Sequence, residues 1–497
     1  MFTSHVRVIE ARRLAIVASL LAALVTSVLP AEARQRQARL SRDLTDRLAS
    51  RVEGSMDVIV NGSDSQVDAL ALRYGARVKK RLKHTAILEV TGGQLQGLSE
   101  DADVDSLAGD LPVRSMGVPE IIGADQVWRG GYAEGVRGYT GRGIGVAVID
   151  TGVDATHPHL QGHVAASLDF TSSPAQGRDE NGHGTHVIGT VRDAAPGAHI
   201  VSLKAMGANG SGFTSDVLKA FDWIEDNHRP WNIKVVNLSL GHPVVQSERD
   251  DPLCQAIERL TGLGLLVTVS AGNGGRTSDG TPVVRSISSP GHSRAALTVG
   301  SLNTKQTDIR SDDVVATFSS RGPTLIDGLL KPELVAPGNR IVSAVAPNGY
   351  LALTYPERVS GEGANRFMEL SGTSISAGWA AGAAALLKDA RNNLKPLEAK
   401  LLLQLTASRV AGSGLIEAGA GSLNVLAAVA VAKRSGFEPV IISNEEITPQ
   451  RIAFSNIELD TSRDILETMG NRQTIVWADT IVWADTIVWA DTIVWAD

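Results

Sequence analysis

Apolar positions along this chain follow two different rules. From residue 55 to about 110 they alternate in short stretches. MDVIVNG (56–62) reads as a half-buried strand, and SQVDALALRYG (65–75) has helical spacing and ends on Gly75, suited to a left-handed C-cap. ARVKKRL and HTAILEV read as a strand pair, GGQLQGLSED as a short helix and VDSLAGD as a last strand. The order β-α-β-β-α-β predicts a small ferredoxin-like α+β unit over 55–115. Its basic cluster, Lys79, Lys80, Arg81 and Lys83, is expected to be a solvated face.

From about 120 to 435 the pattern changes. GVAVID (145–150), HIVSLKAM (199–206), VVNLSLG (235–241), LLVTVSAG (265–272) and ALTVGSL (296–302) are continuous apolar runs separated by helical stretches. Runs without polar alternation are strands buried on both faces, which predicts an α/β, doubly wound, mainly parallel sheet. Asp251-Pro252 is a good helix start and Gly262 a good stop. A sheet of this kind carries its site at the carboxyl ends of its strands.

The flanks follow other patterns. Arg7, Arg12 and Arg13 precede LAIVASLLAALVTSVL (14–29) and an A-x-A site, so 1–33 reads as a signal peptide cut after Ala33. A charged linker is expected over 34–54 and a loop-like rim between Gly338 and Leu370. A polar linker is expected over 436–473, and TIVWAD repeats four times over 474–497. Four hexads make too little of a solenoid to bury their own Trp residues. The tail reads as a flexible or weakly associating segment, with surface attachment or strand addition to a partner left open.

Composition removes several classes of function. A formal charge of −7 gives no footprint for nucleic acid, and no segment after the signal looks membrane-spanning. The single cysteine, Cys254, excludes an intramolecular disulfide and sits on an apolar helix face as a small buried hydrophobe.

The candidate chemistry centres on LSGTSISAGWAAGAAALL (370–387), where a Gly-Thr-Ser turn opens into a buried helix. Ser374 lies in its first turn, where free N–H groups and the positive end of the dipole can receive an oxyanion. Asp150 ends a fully buried strand, and a carboxylate there requires a partner. His183, in NGHGTH, would be that partner, and Ser374 completes a nucleophile, general base and orienting carboxylate. His186 is an alternative base, and His157, His159 and His163 an alternative metal cluster. No H-E-x-x-H or G-x-S-x-G motif occurs.

DTGVD, HGTH and SGTSIS, in the order Asp…His…Ser, resemble the three signature segments of the subtilisin-like serine proteases, the subtilases. VTVSAGNGG (267–275), VVNLSLG, ATFSSRGP and KPELVAPG are also family-like, so the likeness runs from about 120 to 430. It implies a serine endopeptidase acting through an acyl-enzyme on protein or peptide substrates, with Asp150, His183 and Ser374 as triad and Asn273 as oxyanion donor. It places substrate along Ser239, Leu240 and Gly241, with Ser270, Ala271 and Gly272 as the facing pocket wall and Ser288 toward its floor. The unit at 55–115 resembles the subtilase propeptide, a chaperone and inhibitor removed on maturation between Asp110 and Glu120. The chain is thereby expected to be a secreted, autoprocessed zymogen, its own propeptide among its partners.

The chain departs from the family in two places. The link from HGTHVIGTVRD to APGAHIVSLKAM is too short for the family's strong calcium loop. No cofactor is therefore expected to be required, while weaker calcium sites stay open. Gly378-Trp379 stands where relatives often carry Pro-His. Pocket walls without an acidic residue argue for neutral or apolar side chains at the cleavage site. The rival reading is a non-catalytic binding or surface-attachment protein on the same fold.

Overall fold

The computed structural model describes residues 38–50, 54–110, 118–131, 137–171, 176–433, 436–455 and 476–477. The expected signal peptide, most of the expected propeptide junction and all but two residues of the TIVWAD tail lie outside them. The chain divides into two compact units, Met1–Ser115 and Met116–Asp497.

The first unit contains β1 (Arg39–Leu40), α1 (Arg42–Ser50), β2 (Met56–Asn61), α2 (Asp64–Tyr74), β3 (Arg77–Arg81), β4 (Thr85–Val90), α3 (Gly92–Ser99) and β5 (Ser106–Gly109). The sheet order β1-β5-β2-β4-β3 contains the ferredoxin-like arrangement, its core strands antiparallel. Capping residues set its helix boundaries. Ser63 and Thr91 each form a capping box, and Gly75 takes the left-handed conformation at φ 65°. The expected linker over 34–54 is not featureless: β1 pairs with β5, and α1 buries Leu44 in this core. Its charges hid the spacing of Leu40, Leu44 and Leu48, which supplies the apolar side.

The second unit is built on β6 (Gly145–Asp150), β7 (Val164–Asp169), α4 (His183–Ala194), β8 (His199–Lys204), α5 (Thr214–Asn227), β9 (Ile233–Leu238), α6 (Pro252–Gly262), β10 (Leu266–Ser270), β11 (Leu297–Asn303), β12 (Val314–Val315) and β13 (Leu334–Pro337). Strands β7-β8-β6-β9-β10-β11-β13 run parallel, and β12 adds an antiparallel edge. This is the expected doubly wound sheet. Alternate residues of β6 feed different cores: Val146 and Val148 meet α4 on one face, while Ala147 and Ile149 meet α5 and α6 on the other. That two-sided burial is why the strands read as unbroken apolar runs.

Three antiparallel strands follow, β14 (Ile341–Ala344), β15 (Val359–Glu362) and β16 (Asn365–Leu370). The stretch expected to be loop-like between Gly338 and Leu370 thus contains a small sheet and a short helix, Tyr350–Thr354. Its strands alternate over only four to six residues, and a tight turn with Gly363 at φ 58° joins two of them. The run from Thr373 to Ala390 forms α7, buried along nearly its whole length. A Cβ on Gly378 would lie 2.3 Å from Thr190 Oγ1, and one on Gly382 2.3 Å from the Ala194 Cβ, so these glycines let α7 cross α4 closely. The expected polar linker after 436 begins with a hairpin, β17 (Val440–Ile442) and β18 (Glu445–Ile447), whose Ile442 and Ile447 are buried with Phe437. Singly spaced apolar residues carry that packing, which no periodicity signals. Val476–Trp477 pairs in parallel with Phe454–Ser455.

Candidate active site

Asp150 closes β6 and His183 opens α4, so the sheet's carboxyl edge brings them together from 33 residues apart. His183 Nδ1 lies 2.7 Å from Asp150 Oδ1. With Nδ1–H donated to the carboxylate, Nε2 is the free acceptor nitrogen. The same Oδ1 accepts the Thr151 N–H at 2.7 Å, while the buried Oδ2 has no hydrogen-bond partner among the described residues. The Asp150 side chain is 1% exposed and that of His183 24%. Burial alone pushes the His183 pKa down. The charge and hydrogen bond of Asp150 outweigh it, helped by the charge of Asp179, and hold it above the ordinary imidazole value.

Asp179 was not singled out in the sequence. Its Oδ1 accepts from Thr151 Oγ1 at 2.8 Å and from the Gly182 N–H at 2.7 Å, and its Oδ2 from the Thr185 N–H at 2.8 Å. A carboxylate gathering the free N–H groups of a helix start fixes both the β6 end and the angle at which α4 begins. An acidic residue just ahead of the glycines of NGHG was its only signal.

Ser374 sits in the first turn of α7, partly exposed, and its hydroxyl donates to the Ser239 carbonyl at 3.2 Å. A chain of bonds holds that turn: Thr268 Oγ1 donates to Asn237 Oδ1 at 3.0 Å, Asn237 Nδ2 to Ser239 Oγ at 2.9 Å, and Ser239 Oγ to the Ser374 carbonyl at 2.8 Å. Asn273 is fixed through its oxygen. Oδ1 accepts from the Thr373 N–H at 2.9 Å and from Thr373 Oγ1 at 3.1 Å, which leaves the amide Nδ2 as the outward donor. A Cβ added to Gly372 would lie 3.4 Å from that Nδ2 and 3.8 Å from the Ser374 nitrogen. Two donors, Asn273 Nδ2 and the Ser374 N–H, therefore border one small space over Gly372. Thr373 was missed because a threonine at a helix start reads as a cap.

A cleft of about 540 Å³ opens beside Ser374. Ser239, Leu240, Gly241, Ser270, Gly272, Asn273 and Ser288 are among the residues that line it. Ala271 is not in the lining. Its carbonyl instead accepts from the Ser288 N–H at 3.0 Å and Oγ at 3.3 Å, bracing the two walls together. Arg285 and Leu325, not anticipated, also line it.

The alternative base His186 and two histidines of the alternative metal cluster, His157 and His159, are otherwise employed. His186 is buried, with Nε2 3.1 Å from the Ile341 carbonyl and 3.0 Å from that of Met368. Burial first, then the charge of His183, pushes its pKa down to about 4. His157 Nε2 meets the Arg366 carbonyl and His159 Nε2 meets Asp193 Oδ1, each at 2.7 Å, with both rings edge-on to Phe367. Residues 195–198 alone join α4 to β8.

The family model described as "Subtilase family" matches residues 141–429. "Serine protease AprX" of Bacillus subtilis (strain 168) is 37% identical over 53% of this chain, which spans 61% of that protein's length. "Alkaline protease" of Shouchella clausii is 31% identical over 65% of this chain and 73% of its own length. "Subtilisin Savinase" of Lederbergia lenta is 32% identical over 58% of this chain and 93% of its own length.

Proposed function

Because this chain belongs to the Subtilase family of serine proteases, we propose that Asp150, His183 and Ser374 are its triad and that it is a secreted, self-maturing endopeptidase. The observation that carries the proposal is the 2.7 Å bond between His183 and Asp150 at the sheet edge where α7 presents Ser374. His183 Nε2 takes the Ser374 proton as Oγ attacks a peptide carbonyl, and Asp150 stabilises the imidazolium that forms. Asn273 Nδ2 and the Ser374 N–H receive the oxyanion. The resulting imidazolium protonates the leaving amine, giving an acyl-enzyme that water then hydrolyses by the same steps in reverse.

For the hydroxyl to reach His183 it must leave the Ser239 carbonyl to which it donates. Catalytic hydrogen bonds commonly tighten only when substrate binds. Substrate main chain lies along Ser239 to Gly241, with a neutral or apolar side chain in the cleft. The N-terminal α+β unit is the propeptide, and the apolar run near the N-terminus with its A-x-A site directs export. No helix among the described residues is long and apolar enough to cross a membrane. No cofactor enters these steps, and the short connection over 195–198 leaves no loop for the family's strong calcium site.

The test is the intact mass of exported protein, wild type beside Ser374→Ala. The proposal expects wild type to lose its first hundred or so residues and the variant to keep the unit at 55–115. Both chains staying joined, or both being cut alike, would count against self-maturation through Ser374.

A further inference from the structure

Beyond the catalytic cleft, the connection from β10 to β11 passes over the first turn of α6. There Asp251, Cys254 and His292 meet, 1%, 2% and 0% exposed. One ligand-type atom from each lies within 4.8 Å of the other two. His292 Nε2 is 3.8 Å from Cys254 Sγ and 3.7 Å from Asp251 Oδ2, and His292 Nδ1 is 3.7 Å from the same sulfur. No shorter hydrogen bond or ion pair of the ring occurs among the described residues. Buried imidazoles ordinarily have a partner near 3 Å, so this one calls for an explanation.

Asp251 is already well supported. Its Oδ1 caps α6 by accepting the Leu253 N–H at 2.9 Å, and its Oδ2 accepts the Ser289 hydroxyl at 2.7 Å. Neither bond accounts for the open spacing around His292.

We propose that Asp251, Cys254 and His292 bind one thiophilic divalent cation of the zinc class. Tetrahedral zinc bonds of about 2.0 Å to nitrogen and 2.3 Å to sulfur place such donors roughly 3.5 Å apart. The two imidazole edges need to contract by a few tenths of an ångström, the carboxylate–sulfur edge lies within 4.8 Å, and the ring must turn to aim one nitrogen at the ion, since the sulfur lies about as near Nδ1 as Nε2. A carboxylate, a thiolate and a neutral imidazole match the charge of the ion, and softness favours zinc over calcium or magnesium. On binding, the Cys254 S–H bond breaks, its proton leaves to solvent and the sulfur lone pair forms the metal bond, with no change of oxidation state. Ser289 then acts as the outer partner that orients the ligating carboxylate. The nearby Lys331 ammonium opposes a cation; Glu333 pairs with it at 2.7 Å and with Lys400 at 2.7 Å, and Glu248, close to Cys254, is paired with Arg294 at 2.6 Å, so the site's own carboxylate and thiolate must supply the balancing charge.

The ion would brace the substrate cleft. Ser289 exchanges both backbone hydrogen bonds with His242, each at 2.9 Å, and both His242 and the neighbouring Ser288 line the cleft. This inference stands whether or not the chain proves to be a protease.

Because the site is closed, the ion must enter during folding. Full-length, untagged protein carrying Ser374→Ala, which prevents self-digestion, is refolded with and without Co²⁺ and freed of loose metal. The expected result is one Co²⁺ per chain with a thiolate-to-cobalt charge-transfer band that Zn²⁺ abolishes. Adding Cys254→Ser or His292→Ala should remove the band and lower retention at least tenfold. Failure of the parent to retain metal, or retention of the band with Cys254→Ser, would overturn the proposal. X-ray absorption of the zinc-loaded parent gives a readout independent of variant folding. One sulfur among nitrogen and oxygen neighbours is expected, and a shell lacking sulfur would refute the site.

Discussion

The Asp150→Asn variant tests how the orienting carboxylate works. In the wild type a single oxygen, Oδ1, serves both the His183 Nδ1–H and the Thr151 N–H. An asparagine whose oxygen keeps that position retains both bonds, so the imidazole keeps its productive tautomer. The substituted NH₂ then occupies the place of Oδ2, buried and without a hydrogen-bond partner among the described residues. The chief loss for catalysis is therefore the negative charge facing the imidazolium. Two unit charges about 4 Å apart at an effective dielectric of about 20 interact by roughly 4 kcal/mol. Losing that in the transition state lowers kcat by about a thousandfold. The orphaned donor should cost a further 1–3 kcal/mol of stability, approximately. The same charge is what raises the His183 pKa against burial, so its removal must lower that pKa. Since only the neutral ring accepts the Ser374 proton, the acid limb of the kcat/KM profile must move to lower pH. The assay is hydrolysis of a chromogenic peptide from pH 4 to 10, with thermal unfolding measured alongside. An acid limb that stays put or moves up, or a loss under tenfold, would refute the reasoning.

Two further outcomes follow from other contacts. Asn273→Ala removes a donor already fixed by Thr373, so kcat should fall by about 10²–10³ with KM little changed, measured by steady-state kinetics on the same peptide. Buried Lys331 is bonded to Glu333 at 2.7 Å, and burial lowers its pKa from 10.5 to about 8. Between these values the unfolded chain binds the extra proton, so stability of the Ser374→Ala protein should rise with pH from about 8 to 10.5, by up to about 3 kcal/mol. Denaturant titrations across that window check the sign.

How much of this was legible in the sequence depended on the range of the cause. The parallel strands were readable because both faces of each are buried, as Val146 and Ala147 illustrate by entering different cores. Asp150 could be picked out because a carboxylate ending a buried strand is anomalous alone, whereas Ser374, at a helix start where hydroxyls commonly cap, stood out only beside Asp150 and His183. Thr373 and Asp179 could not, since their roles lie in bonds to Asn273, more than ninety residues away, and to Thr151 and the helix start. The hairpin at 440–447 and the small sheet at 341–370 were hidden for another reason. Their strands are too short for a period to emerge, and single residues such as Ile442 and Met368 do the packing. The spread of Asp251, Cys254 and His292 along the chain concealed their meeting in the same way.

The most direct test of the account is covalent labelling of the full chain with an irreversible serine-directed phosphonate, followed by peptide mapping. The account predicts one adduct, on Ser374, formed in step with loss of peptide hydrolysis, slowed greatly by His183→Ala and absent from Ser374→Ala. Labelling at another serine, or peptide hydrolysis that persists in Ser374→Ala, would contradict it.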